Sequence, residues 1–126
     1  MVGANKKDGY EKLKADIKSN KIENMYIFHG EEAYLRDYYI ECIKNILVDK
    51  SFEEFNFVRL AGKDLDISEL SENIDCYPIM AEKKLIVVED YDLLNQNEQI
   101  SGRLDDIIED LPEYICLVFS YDLISY

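Results

Sequence analysis

The sequence predicts an α/β domain built on a mostly parallel sheet with helices on both faces, and three observations lead there. Four short apolar runs, Met25 to Phe28, Phe55 to Leu60, Leu85 to Val88 and Ile115 to Phe119, each begin about 30 residues after the one before. Each gap between them carries a helical pattern, which is the rhythm of repeated βαβ units. The runs LIVV and YICLVF do not alternate polar with apolar residues, as expected of parallel strands covered on both faces. Crossovers between such strands are right-handed.

The helices follow in order. Residues 8–20 place Tyr10, Leu13 and Ile17 on one helical face. Residues 31–48 carry Leu35, Tyr38, Tyr39, Cys42, Ile43, Ile46 and Leu47 at helical spacing, with Glu31 and Glu32 in the first turn, where negative charge suits the helix dipole. Asp66 followed by Glu69 resembles a capping box opening a helix with Ile67, Leu70 and Ile74 turned inward. Ser101 is placed to cap a last helix bearing Leu104, Ile107, Ile108 and Leu111, which Pro112 stops. The stretch from Tyr91 to Ile100 has no clear period and reads as loop. These apolar stripes are core packing.

Length and composition set the outer limits. A chain of 126 residues, 48% apolar or aromatic and 33% charged, suits one soluble domain with one core. No apolar run approaches the roughly 20 residues that span a bilayer, and the first residues lack the apolar core of a secretion signal. A cytoplasmic location, away from membranes, is therefore expected. Cys42, Cys76 and Cys116 are far apart and lie in apolar surroundings, so they read as small buried residues of a reducing compartment. The lone histidine, His29, argues against a histidine-based metal or relay site. With 27 acidic residues against 14 basic, the net charge is −13. That surface repels phosphate backbones, so any DNA contact is indirect and the direct partner is a protein.

The strongest chemical signal is a broken one. An apolar strand, YIF, runs into Gly30 and then a helix, which is the layout of a phosphate-binding loop. A working loop reads G-x-x-x-x-G-K-[ST], in which glycines let the backbone amides face the phosphates, a lysine neutralises them and a hydroxyl holds magnesium. From Gly30 the same register reads GEEAYLRD. Leu35 replaces the second glycine, Arg36 the lysine and Asp37 the hydroxyl. A side chain at position 35 disfavours left-handed backbone, and Glu31 and Glu32 set negative charge beside a triphosphate. The degenerate loop is expected to exclude nucleotide, and Arg36 to be a solvated helix arginine. No cofactor and no metal are expected. LIVVED, Leu85 to Asp90, has the form of a magnesium-holding strand end but, without a phosphate loop to serve, reads equally as a buried strand with an acidic exit. An active nucleotide hydrolase or kinase lacks its glycine and lysine here. A phosphoacceptor domain lacks its paired acids, because the first strand ends in His29 and Gly30. An acidic α/β protein-interaction module and a degenerate nucleotide-binding domain stand as alternatives.

Taken in order, the pieces NMYIFHGEEAYLRDYYIECI, FNFVRLAGKD, ISELSENIDCYPIMAEKKLIVVED and LPEYICLVFS resemble the N-terminal domain of the delta subunit of bacterial DNA polymerase III over almost the whole chain. The most specific parts are GEE-x-YL after the first strand and YPIMAEKKLIVVE. The resemblance implies an AAA+, P-loop-NTPase-like (RecA-like) domain of the clamp-loader family without a working nucleotide site. It implies a non-catalytic subunit of the polymerase holoenzyme, assembled with ATP-hydrolysing subunits and delta prime, that grips the sliding clamp (the beta subunit) and helps open it during DNA replication. It also implies a single N-terminal clamp-binding domain, residues 1–126, of a longer subunit whose helical lid and collar are absent here.

In that family the gripping element is a helix end and the turn after it, and it maps here onto Tyr77, Pro78, Ile79 and Met80. Pro78 disfavours helical geometry at Tyr77, so the chain must leave the helix and can present Ile79 and Met80 outward; the residues alone fit equally a turn whose Ile79 and Met80 tuck under the sheet edge. Moving two apolar side chains from water into a pocket contributes roughly 3 to 6 kcal/mol before association costs. Family members often carry a bulkier aromatic or leucine at these positions, and a serine where this chain has Ala81. Lys83 and Lys84 are placed to steer the domain towards an acidic clamp surface, although as strand-entry charges they need no function.

Overall fold

The computed structural model describes residues 6–29, 33–62, 65–90 and 98–121. Four strands, β1 (Met25–His29), β2 (Phe57–Ala61), β3 (Lys84–Glu89) and β4 (Ile115–Tyr121), form one sheet in the order β1-β4-β3-β2, and every pair is parallel. Among the described residues, five α-helices accompany them, α1 (Lys6–Ser19), α2 (Ala33–Leu47), the single-turn α3 (Glu53–Asn56), α4 (Ile67–Asp75) and α5 (Glu98–Glu109), with a 3-10 turn at Lys50–Phe52 before α3.

The pleat sorts the strand residues between two cores. Leu85, Val87, Cys116 and Val118 join Tyr26 and Phe28 on one face, where Leu13 of α1 and Tyr39, Ile40 and Ile43 of α2 cover them. Ile86, Val88, Ile115, Leu117 and Phe119 point to the other face, under Ile67, Leu70 and Ile74 of α4 and Leu104 of α5. Both central strands are therefore buried on both faces, which is why their sequences lack a polar alternate. Each large apolar side chain so enclosed contributes roughly 1.5 to 3 kcal/mol.

The topology changes direction once. The chain travels from β1 across the whole sheet to β2 by way of α2, then returns one strand at a time to β3 and β4 by way of α4 and α5 on the opposite face. Reversing direction and face together keeps all three crossovers of one hand, as the handedness rule for parallel units requires. Tyr26 ties α1 to the sheet: its hydroxyl donates to Asp16 Oδ2 at 2.7 Å and accepts from the Glu23 amide at 2.9 Å. Burial above all pushes that phenol well above its ordinary pKa.

Several elements differ from the sequence reading. The second strand starts at Phe57 rather than Phe55, because Phe55 and Asn56 finish α3. Helix α5 already includes Glu98, so Ser101 lies inside it and is not its cap. Residues 98–100 are helical rather than loop, and 91–97 lie outside the described residues. Tyr38 stands exposed on α2, beside the buried Tyr39. Of the cysteines only Cys116 is buried; its thiol is pushed up to about 12 by burial, while Cys42 is half-buried and Cys76 exposed. Cys76 follows the last residue of α4, where the chain has already turned outward. Among the described residues, no helix is long and apolar enough to cross a membrane.

Candidate functional site

The turn between α4 and β3 is built from its helix end. Asp66 caps the start of α4, accepting from the Ser68 amide at 2.9 Å, and the helix runs to Asp75. Cys76 adopts extended backbone, φ −78 and ψ 123, one residue before the position that Pro78 restricts. Lys84, 4% exposed, reaches back under the helix and donates from Nζ to the Asn73 carbonyl at 2.7 Å. It satisfies a carbonyl that the helix end leaves without an intrahelical partner. Burial pushes its pKa down. Lys84 is thus committed to the fold and does not steer a partner, a correction to the sequence reading. Lys83 is half-buried and donates to the Glu113 carbonyl at 2.6 Å.

The turn that emerges is an apolar knuckle. Tyr77 is 75% exposed, Ile79 45% and Met80 77%, with Pro78 half-buried between them. The ring of Tyr77 lies against Tyr114, centroids 5.0 Å apart, and the Tyr114 hydroxyl donates to the Ile74 carbonyl at 2.8 Å. Below the knuckle, the wholly buried Asn56 holds the backbone of Ile79 from both sides, accepting from its amide at 2.7 Å and donating to its carbonyl at 2.7 Å. Met80 has φ 53, left-handed backbone that a residue with a Cβ adopts only at some cost. The four residues singled out in the sequence are brought together as one exposed surface at the amino ends of the strands, where β3 begins.

The stretch read as a degenerate phosphate loop links β1, which ends at the opposite, carboxyl edge of the sheet, to α2; open α/β sheets hold their ligands at that edge. Gly30, Glu31 and Glu32 lie outside the described residues. Leu35 packs into the core cluster beneath α2. Arg36 is not solvated as the sequence suggested: it is 7% exposed, and its Nη1 donates to Ser120 Oγ of β4 at 3.0 Å. Ser120 pairs in register with Phe28 of β1, so the guanidinium is tied to the end of the β1–β4 pair. Asp37 is exposed. The residues standing in place of the glycine and lysine have therefore acquired packing tasks. At the end of β3, Glu89 pairs with Arg59 of β2 at 3.2 Å. Among the described residues, no cluster of three or more histidine, cysteine or acidic side chains could hold a metal ion.

Comparison with known proteins bears on family and fold. Residues 26–123 match the family model described as "DNA polymerase III, delta subunit". The chain belongs to the DNA polymerase III delta subunit family. Among solved structures, the DNA clamp loader delta protein of Bacillus subtilis superposes with a TM-score of 0.78 at 19% identity, covering 91% of this chain and 36% of that one. A DNA polymerase III gamma subunit-related protein of Thermotoga maritima gives a TM-score of 0.58 at 15% identity, covering 87% of this chain and 38% of that one. The delta-family chain thus has an AAA+-like fold and spans little more than a third of the length of these structures. No curated protein matches it in sequence.

Three residues that shape the knuckle of this delta-family chain were not evident from its sequence: Asn56, Lys84 and Tyr114. Asn56 sits 23 residues before its partner, and its neighbours Phe55 and Phe57 make the stretch read as strand. Lys84 opens the run KLIVVE, a place where a lysine ordinarily marks strand entry from solvent. The one available signal was Tyr114, an aromatic directly before a buried strand.

Proposed function

We propose that this chain is the non-catalytic, clamp-gripping domain of a clamp-loader delta subunit, in which Tyr77, Pro78, Ile79 and Met80 dock on the sliding clamp and help open it during DNA replication. The observation that carries the reading is the pair Ile79 and Met80, both exposed on a turn whose backbone is fixed from beneath. Exposed apolar side chains on an ordered, irregular turn suit a pocket on a partner, and side chains of this size are able to act as hot spots. Membership of the delta family supports the ring-shaped clamp, or beta subunit, as that partner. The same reading places the domain in the DNA polymerase III holoenzyme beside ATP-hydrolysing subunits and delta prime, with DNA reached only through the assembled loader.

The chain is then the N-terminal AAA+-like domain of a longer subunit, consistent with its covering 36% of the Bacillus subtilis delta protein. The engagement of Leu35 in packing and of Arg36 in a bond to β4 supports the absence of ATPase activity in this domain.

Surface-immobilised sliding clamp, encoded in the same genome, tests the assignment. The wild-type chain binds it, and Ile79→Asp lowers affinity by at least about tenfold, since a carboxylate cannot enter an apolar pocket without a partner. Equal binding by the two chains, or none by either, overturns the reading.

A further inference from the structure

The seven residues from Tyr77 to Lys83 have no regular structure, and among the described residues no backbone–backbone hydrogen bond begins or ends within them. Such a segment ordinarily samples many conformations, and ordering it on a partner weakens binding. Here one side chain from elsewhere in the fold replaces the missing backbone partners. The Asn56 carboxamide meets both the amide and the carbonyl of Ile79 at 2.7 Å, as a strand neighbour would. Its orientation is fixed chemically, because a flipped amide would set donor against donor and acceptor against acceptor. Asn56 is itself wholly buried at the junction of α3 and β2, and β2 is held in register by β3, the strand into which the knuckle leads. The clasp therefore refers the knuckle to the rigid sheet. Directly after the clasped residue, Met80 takes its left-handed backbone, which turns the chain back towards β3.

We propose that Asn56 is the positioning residue of the knuckle: by holding the Ile79 backbone it presents Ile79 and Met80 in one preformed orientation, so that the ring docks on an existing surface. This rests on the clamp-gripping reading above but assigns a role to a residue outside the gripping element.

The test compares wild type, Asn56→Asp, Asn56→Ala and Ile40→Ala, the last a cavity in the core beneath α2 that lowers stability without touching the knuckle. Asn56→Asp is nearly isosteric, keeps the acceptor for the Ile79 amide and sets an oxygen against the Ile79 carbonyl. Amide exchange in the free chain reads the clasp without any partner. The Ile79 amide is expected to be protected in wild type and to exchange at least about tenfold faster in both Asn56 variants, with the sheet amides unchanged in Asn56→Asp. Affinity for purified sliding clamp is expected to fall about tenfold in both Asn56 variants and to stay at the wild-type value in Ile40→Ala at a temperature where all are folded. On an Ile79→Ala, Met80→Ala background, Asn56→Asp is expected to cost no more than about twofold, because a positioning residue has nothing left to position. An unprotected Ile79 amide in wild type, or wild-type affinity in Asn56→Asp, overturns the positioning role and leaves the gripping assignment standing. Failure of the wild-type chain to bind the clamp overturns both.

Discussion

Met80 carries a local backbone cost beside the gripping role proposed for it. Its φ of 53 places a side chain with a Cβ where glycine is most at ease, and single left-handed residues cost of order 1 to 3 kcal/mol. Met80→Gly removes that strain and adds chain entropy to the unfolded state of about 0.5 to 1 kcal/mol, so relief of strain offsets the entropy or exceeds it. Thermal unfolding of the variant is expected at or above the wild-type temperature while clamp affinity drops severalfold. A large loss of stability would show that the methionine side chain is needed by the core. Arg36 carries the reverse lesson: a residue standing in a catalytic lysine's place has been turned to holding α2 against β4. From sequence it read as a solvated arginine, because nothing in GEEAYLRD reveals that Ser120, 84 residues on, closes over it.

At the scale of elements, α4 and β3 act as a unit through Lys84. The lysine is charged only at the cost of desolvation, so its folded pKa lies below the ordinary 10.5 and the unfolded chain holds the proton more tightly. Stability relative to Lys84→Met is therefore flat below the folded pKa and rises as the pH climbs from there towards 10.5. Denaturant titrations of both chains across that window check the sign, and a falling difference would contradict it. Helix α5 offers a simpler case. Gly102 lies inside it, exposed, and an added Cβ meets nothing within 4 Å. Gly102→Ala is expected to stabilise the chain by about 0.5 to 1 kcal/mol, read from the denaturation midpoint. The periodicities that announced these helices and strands were legible because both depend on local spacing. The ends were less so: Phe55 and Asn56 sit in an apolar stretch that reads as strand, yet they finish α3, whose turn the Phe57 amide closes on the Glu53 carbonyl, and the Asn56 side chain bonds Ile79. Tertiary bonds of that kind leave no local trace, which is also why the exposed part of the knuckle could be read in YPIM and its buried support could not.

For the molecule as a whole, nucleotide indifference is the sharpest expectation. A site of about 10 μM affinity would raise stability by about 2.7 kcal/mol at 1 mM ATP with magnesium, a shift of several degrees in a domain of this size. No shift is expected, and one of that size would make the stretch after β1 a ligand site after all. The covering of both sheet faces was foreseeable because the LIVV and YICLVF runs carry no polar alternate. The strand order was not, since sequence spacing is silent on which edge each returning strand joins.

The sheet also works as a spacer. Strands of five to seven residues separate its two rims by roughly 20 Å, with the Arg36–Ser120 bond near one rim and the knuckle at the other. On the gripping reading proposed above, a substitution at the Arg36 margin leaves the props of the knuckle, Asn56 and Lys84, in place.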